Sequence, residues 1–277
     1  MKNTGTLKTD ETTFIEVNGA AIRYALSGNG PQTLVLFHEM GGSLDSWNGL
    51  VSLLPENLTV LRADMRGAGM SEKVSGSLDI DLLCDDMAAL LDALGITGKV
   101  IVAGAAVGGA IAVHFAIRYP NRTAKIILIC PAFGVPPEQH AAALSIADTA
   151  DEKGMRAIFS DVFPNAFPDH LWTNDGDRRK VQARWLGGDP HGYAAAYRML
   201  VRAATRKELA DIACPVLALA GKYDPYWTPE MIETATKNVH HLKFEVVEAG
   251  HFMSIQNPDR VASAIRPFLL ETEELSP

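Results

Sequence analysis

A chain of 277 residues, 47% of them hydrophobic, is long enough for one sizeable domain or for a core with an insertion. Its formal net charge of −8, with no cluster of lysine or arginine, argues against a nucleic-acid partner. No apolar run reaches the length of a membrane span, and the polar start of the chain (Met1 to Thr13) has no signal-peptide core, so neither membrane insertion nor export is expected.

Thr13 to Ser27 reads as two short strands joined at Asn18-Gly19, a pair suited to the left-handed backbone of a tight hairpin. Thr33 to Phe37 is a buried strand, followed by the loop His38-Glu39-Met40-Gly41-Gly42. Ser46 to Leu54 is a short helix stopped by Pro55. Leu58 to Ala63 is the next strand and runs into the turn Asp64-Met65-Arg66-Gly67-Ala68-Gly69-Met70-Ser71. From Asp79 to Leu94 the residues Ile80, Leu83, Met87, Leu90 and Leu91 recur at helical spacing, and Gly95 ends the helix. Val100 to Ala103 is the apolar, β-branched run of a buried parallel strand. Gly104 and Gly108 bracket a turn, Gly109 to Tyr119 has the small and apolar residues of a packed helix, and Ala124 to Cys130 is another strand.

Strand and helix alternate to this point, which predicts an α/β fold with a parallel sheet covered on both faces. Between residues 136 and 207 the alternation stops. That segment has helix-like stretches and polar breaks, and it reads as a helical cap inserted in a core made of residues 1–135 and 208–277. Pro215 to Ala220 resumes the strand pattern, Pro229 to Asn238 is a helix, Lys243 to Val247 the last strand, and Pro258 to Leu270 a closing helix. Three scattered cysteines, Cys84, Cys130 and Cys214, fit reduced thiols and a cytoplasmic protein. His240-His241 is an adjacent pair expected to face opposite ways on a strand, so no metal site is implied.

Three signatures stand in order, each after its strand. They are Gly104-Ala105-Ala106-Val107-Gly108, Ala220-Gly221-Lys222-Tyr223-Asp224-Pro225 and Glu248-Ala249-Gly250-His251-Phe252. Together they resemble the α/β-hydrolase fold over about residues 13–135 and 208–270, on the branch of enol-lactonases, small carboxylesterases and carbon–carbon bond hydrolases. The resemblance implies a mostly parallel sheet of about eight strands flanked by helices. It also implies a small carbonyl substrate (ester, lactone, amide or β-diketone) held between cap and core, and no cofactor. By the same resemblance His251 is the general base, and Asp224 accepts its other ring N–H and holds the tautomer. The backbone N–H groups of Met40 and Val107 form the oxyanion hole. After the strand ending at Cys130, the other place for such an acid, the chain reads Cys130-Pro131-Ala132 and offers no carboxylate.

Arg66 to Ser71 resembles the family's Arg-Gly-x-Gly-x-Ser turn and reads as scaffold, with Arg66 pairing nearby carboxylates. His38 and Glu39 border the expected pocket. His38 reads as structural, whereas Glu39 departs from the family's His-Gly and is either a solvated loop charge or a carboxylate beside the pocket. Trp227, close to Asp224, is a pocket candidate. The cap aromatics Phe133, His140, Phe159, Phe163, Trp172, Trp185, Tyr193 and Tyr197 read chiefly as lid core.

The departure that matters is Ala106, at the centre of the nucleophile elbow, where serine, cysteine or aspartate is expected. A methyl group cannot attack a carbonyl. The chain is then a hydrolase whose serine has been exchanged for alanine, or a natural enzyme without a serine, or a protein that only binds a small molecule. In the second reading His251 activates water or takes a proton from the substrate, which also admits lyase, cyclase, decarboxylase or oxygenase chemistry. Retention of Asp224 and His251 counts against pure binding, because a passive cavity has no physical need for an oriented base.

Overall fold

The computed structural model describes residues 11–203 and 205–271. The polar start of the chain, read above as lacking an export signal, lies outside the described residues up to residue 10. Eight strands form one sheet: β1 (Thr13–Val17), β2 (Ala20–Ser27), β3 (Gln32–Phe37), β4 (Leu58–Ala63), β5 (Val100–Ala105), β6 (Thr123–Ile129), β7 (Val216–Gly221) and β8 (Leu242–Val247). Their order across the sheet is β1-β2-β4-β3-β5-β6-β7-β8. The first two pairings are antiparallel and the other five parallel. Asn18 and Gly19 at φ +49° and +68° make the hairpin turn that the sequence predicts.

Parallel strands need helical crossovers, and these cover both faces. Alternate residues of β3 show the division: Val35 and Phe37 join one apolar cluster, Leu34 and Leu36 the other. The first cluster is closed by α2 (Ile80–Ala93), α3 (Val107–Arg118) and α9 (Pro229–Thr236). The second is closed by α1 (Asn48–Val51), α10 (Met253–Gln256) and α11 (Pro258–Leu270). Between β6 and β7 lie α4 (His140–Lys153), α5 (Phe159–Ala166), α6 (Asp175–Leu186), α7 (Pro190–Arg202) and α8 (Thr205–Glu208), with no strand among the described residues of that segment. A third apolar cluster joins α4, α5, α6 and α7 to the loops after β5 and β8 through Ala106 and Phe252. No helix of the described residues is long and apolar enough to cross a membrane.

Two local expectations are corrected. The helix expected over Ser46 to Leu54 is a 3-10 turn, Leu44–Trp47, capped by Ser43 and continued by the single turn of α1. His240 and His241 are not on a strand. They are exposed in the reversal between α9 and β8, where His241 takes φ +56° to turn the chain.

Candidate active site

The elbow is sharper than the sequence implies. β5 continues to Ala105 and α3 begins at Val107, so the change of direction falls on Ala106, at φ +50° and ψ −116°. A side chain in that region carries strain of about 1–3 kcal/mol and persists only where its surroundings enforce it. Here they do: Ala106 N–H donates to the Ile129 carbonyl (3.1 Å), and the Ala106 carbonyl accepts from Gly109 and Ala132 (2.9 Å each). The two bracketing glycines are required by contact. A Cβ on Gly104 would stand 2.0 Å from the Gly108 carbonyl oxygen, and one on Gly108 would stand 2.1 Å from that of Phe37.

Asp224 and His251 come together from the loops after β7 and β8, which meet so closely that a Cβ on Gly221 would be 2.7 Å from the Gly250 oxygen. Asp224 Oδ2 lies 2.7 Å from His251 Nδ1. Its Oδ1 accepts from the backbone N–H of Tyr226 (2.8 Å) and Trp227 (3.1 Å). Both side chains are buried. A carboxylate pinned by two backbone donors presents its remaining oxygen to Nδ1–H, which leaves Nε2 as the basic nitrogen. Nε2 has no hydrogen bond among the described residues, and His251 lines the large cavity together with Ala106. Beneath the pair, the Cys130 thiol donates to the Gly250 carbonyl (3.4 Å); burial and the Asp224 charge push its pKa well up, which makes it a poor nucleophile.

The loop after β3 is held by its own side chains. His38 Nε2 accepts from Met65 N–H (3.1 Å), so Nδ1 carries the proton and donates to the Glu39 carbonyl (2.8 Å). Glu39 is buried rather than solvated: Oε1 accepts from Ser46 Oγ (2.6 Å), while Oε2 has no partner. With both side chains turned into the loop, His38 and Glu39 do not border the cavity of Ala106 and His251. They line a neighbouring one of about 40 Å³. The N–H groups of Met40 and Val107 make no hydrogen bond among the described residues, as befits an unfilled loop donor and the first turn of a helix. Arg66 pairs with Asp86 through Nε and Nη2 (2.8 Å each), the scaffold role expected of it.

The larger cavity has a volume of about 350 Å³. Trp227 lines it, and so do three of the cap aromatics, Trp185, Tyr193 and Tyr197. Phe159, Phe163 and Trp172 pack in the third apolar cluster, Phe133 meets Trp227 edge-on at 5.3 Å, and His140 Nε2 lies 2.9 Å from the Val135 carbonyl. Tyr226 escapes the sequence reading although it stands between Asp224 and Trp227. Its ring meets the His251 imidazole edge-on at 5.1 Å. Burial pushes the phenol pKa values of Tyr193, Tyr197 and Tyr226 up, so all three remain neutral donors near pH 7.

The chain belongs to the alpha/beta hydrolase family, whose model matches residues 34–264. It is 28% identical over 247 residues to 3-oxoadipate enol-lactonase 2 of Acinetobacter baylyi, across 88% of this chain and 91% of that protein. An enol-lactonase from Burkholderia xenovorans superposes with a TM-score of 0.84 at 27% identity, over 94% of this chain and 100% of its own. A thermophilic esterase from Thermogutta terrifontis, with malate bound, does so at 0.83 and 27% identity, over 95% and 98%. These relatives are hydrolases.

Proposed function

We propose that the protein acts on small carbonyl compounds, esters or lactones foremost, with His251 as general base, Asp224 as its orienting carboxylate and the Met40 and Val107 N–H groups as oxyanion hole. Residues 136–207 act as the lid over that site, and the three free cysteines fit a reducing, cytoplasmic setting. The observation that carries the reading is the buried Asp224–His251 pair opening on the cavity that Ala106, Met40 and Val107 also line.

With a methyl group at position 106 the nucleophile is water. His251 Nε2 takes one water proton as the oxygen bonds to the carbonyl carbon, and the carbonyl oxygen becomes the anion held by the two N–H groups. When that anion collapses, the bond to the leaving oxygen breaks and the imidazolium returns the proton to it. No covalent enzyme intermediate forms.

The test is turnover of a panel of lactones and p-nitrophenyl esters by the protein as it stands, by His251→Ala and by Ala106→Ser. The expected result is slow turnover without a burst, a loss of about 10²-fold or more in His251→Ala, and a burst in Ala106→Ser. Undiminished turnover in His251→Ala would end the reading. A large gain in Ala106→Ser over an inert parent would instead identify a serine hydrolase that lost its nucleophile.

A further inference from the structure

Among the described residues, the walls of the large cavity contain no lysine, arginine, aspartate or glutamate. Its ionisable groups are His251 and the phenols of Tyr193, Tyr197 and Tyr226. Tyr193 is 5% exposed and its hydroxyl makes no hydrogen bond among the described residues; its ring centroid is 5.9 Å from that of Tyr197, whose hydroxyl is equally unpartnered. Tyr226 Oη has only a long contact, 3.3 Å, to the Val162 carbonyl. We infer that this cavity takes an uncharged, largely apolar carbonyl compound, with a second neutral oxygen at the phenols of Tyr193 and Tyr197, and that it rejects carboxylates.

The inference rests on reading this cavity as the active site, and deepens it to a substrate class. A carboxylate entering an apolar pocket loses its hydration and must find a cation or several donors in return. Among the described residues that line the cavity there is no cation to supply one. Arg66 lines the small neighbouring cavity and not this one, and Asp86 and the Asn18 carbonyl already occupy its guanidinium. A protonated His251 is neutralised by Asp224 at 2.7 Å, so the pair carries no net charge to offer. The phenols can donate one hydrogen bond each, which suits a ketone, ether or hydroxyl oxygen. This separates the chain from relatives whose names or bound molecules are acids, 3-oxoadipate and malate. It also favours product release: hydrolysis of a neutral ester inside this cavity creates a carboxylate that the cavity does not hold, so the product leaves.

A matched pair of probes tests the charge rule by calorimetry without any turnover. Benzylacetone and hydrocinnamate differ in a methyl against a carboxylate oxygen. Benzylacetone is expected to bind at least 100-fold more tightly at pH 7. Equal affinity, tighter binding of the acid, or no binding of the ketone overturns the inference. The para-hydroxy derivative of benzylacetone is expected to gain about tenfold, a gain that the double variant Tyr193→Phe, Tyr197→Phe removes. A gain unchanged in that variant overturns the assignment to the phenols. If the preference holds and no neutral ester is turned over, the catalytic reading fails and the inference stands. If carboxylate substrates are bound and hydrolysed, the inference fails and the catalytic reading stands.

Discussion

Ala106 holds a Cβ where the backbone alone would choose glycine. Strain of about 1–3 kcal/mol exceeds the 0.4–1 kcal/mol by which glycine loosens an unfolded chain. Ala106→Gly is therefore expected to raise stability by about 1 kcal/mol, the reverse of the usual effect of glycine beside a helix. A urea midpoint that falls at constant slope would show that the position is unstrained. Asp224 makes a second prediction that needs no substrate. Its Oδ1 faces two backbone N–H donors, so Asp224→Asn must put the amide oxygen there and turn its NH₂ toward His251. The imidazole then has to accept at Nδ1 and carry its proton on Nε2, which removes the base. Nitrogen NMR of the His251 ring reads that tautomer directly, and an Nδ1–H signal retained in the variant would refute the argument.

At the scale of elements, the central strands were legible as short apolar runs because both faces are buried, and the crossover helices by the period that burial of one face leaves. The strand and helix on either side of the elbow were each read two residues short of Ala106, for a physical reason. Gly104 looks like a break after Ala103, yet it lies inside β5, where the strand and α3 touch through backbone atoms. The order of Asp224 and His251 was readable from their loops, whereas the facing of the cap aromatics was not. Whether Tyr193 or Phe163 looks into the cavity depends on how α4, α5, α6 and α7 pack together, and single-helix spacing does not encode that. Contacts between elements are equally invisible in sequence. Gly192, in the first turn of α7, meets the Arg66–Ser71 turn so closely that a Cβ would lie 1.8 Å from the Gly67 carbonyl oxygen. That neighbour is backbone and cannot swing aside. Gly192→Ala is thus expected to lift α7 from the core, costing about 1–3 kcal/mol in stability and weakening benzylacetone binding at least tenfold. An alanine variant with parental melting temperature and affinity would mean that α7 is not seated there.

For the molecule as a whole, the response to acid turns on which carboxylates are paired and how well they are shielded. Asp85, Asp151 and Glu248 are held below their ordinary values by hydrogen bonds to Arg118, His191 and Lys222 respectively, but these are surface pairs that water and salt weaken. Asp45 differs. Burial alone would raise its pKa, yet the hydrogen bond and charge of Arg23, itself shared with the fully buried Asp64, hold it below the ordinary aspartate range. A carboxylate whose pKa is lowered by folding adds stability that is fully present above its unfolded value and disappears as pH falls through its folded value. Asp45→Asn should therefore cost about 1 kcal/mol at pH 7, where the wild-type carboxylate is charged and paired. Below the ordinary aspartate pKa that difference should shrink, and it should vanish once acid has protonated Asp45 in the folded protein. Denaturant unfolding of the two proteins from pH 7 down to the acid limit measures it directly. Curves that stay parallel throughout would mean that the Arg23–Asp45 contact contributes nothing through charge, and that the loop beginning at His38, with the Met40 donor it carries, is held by the bonds of His38, Glu39 and Asp64 without it.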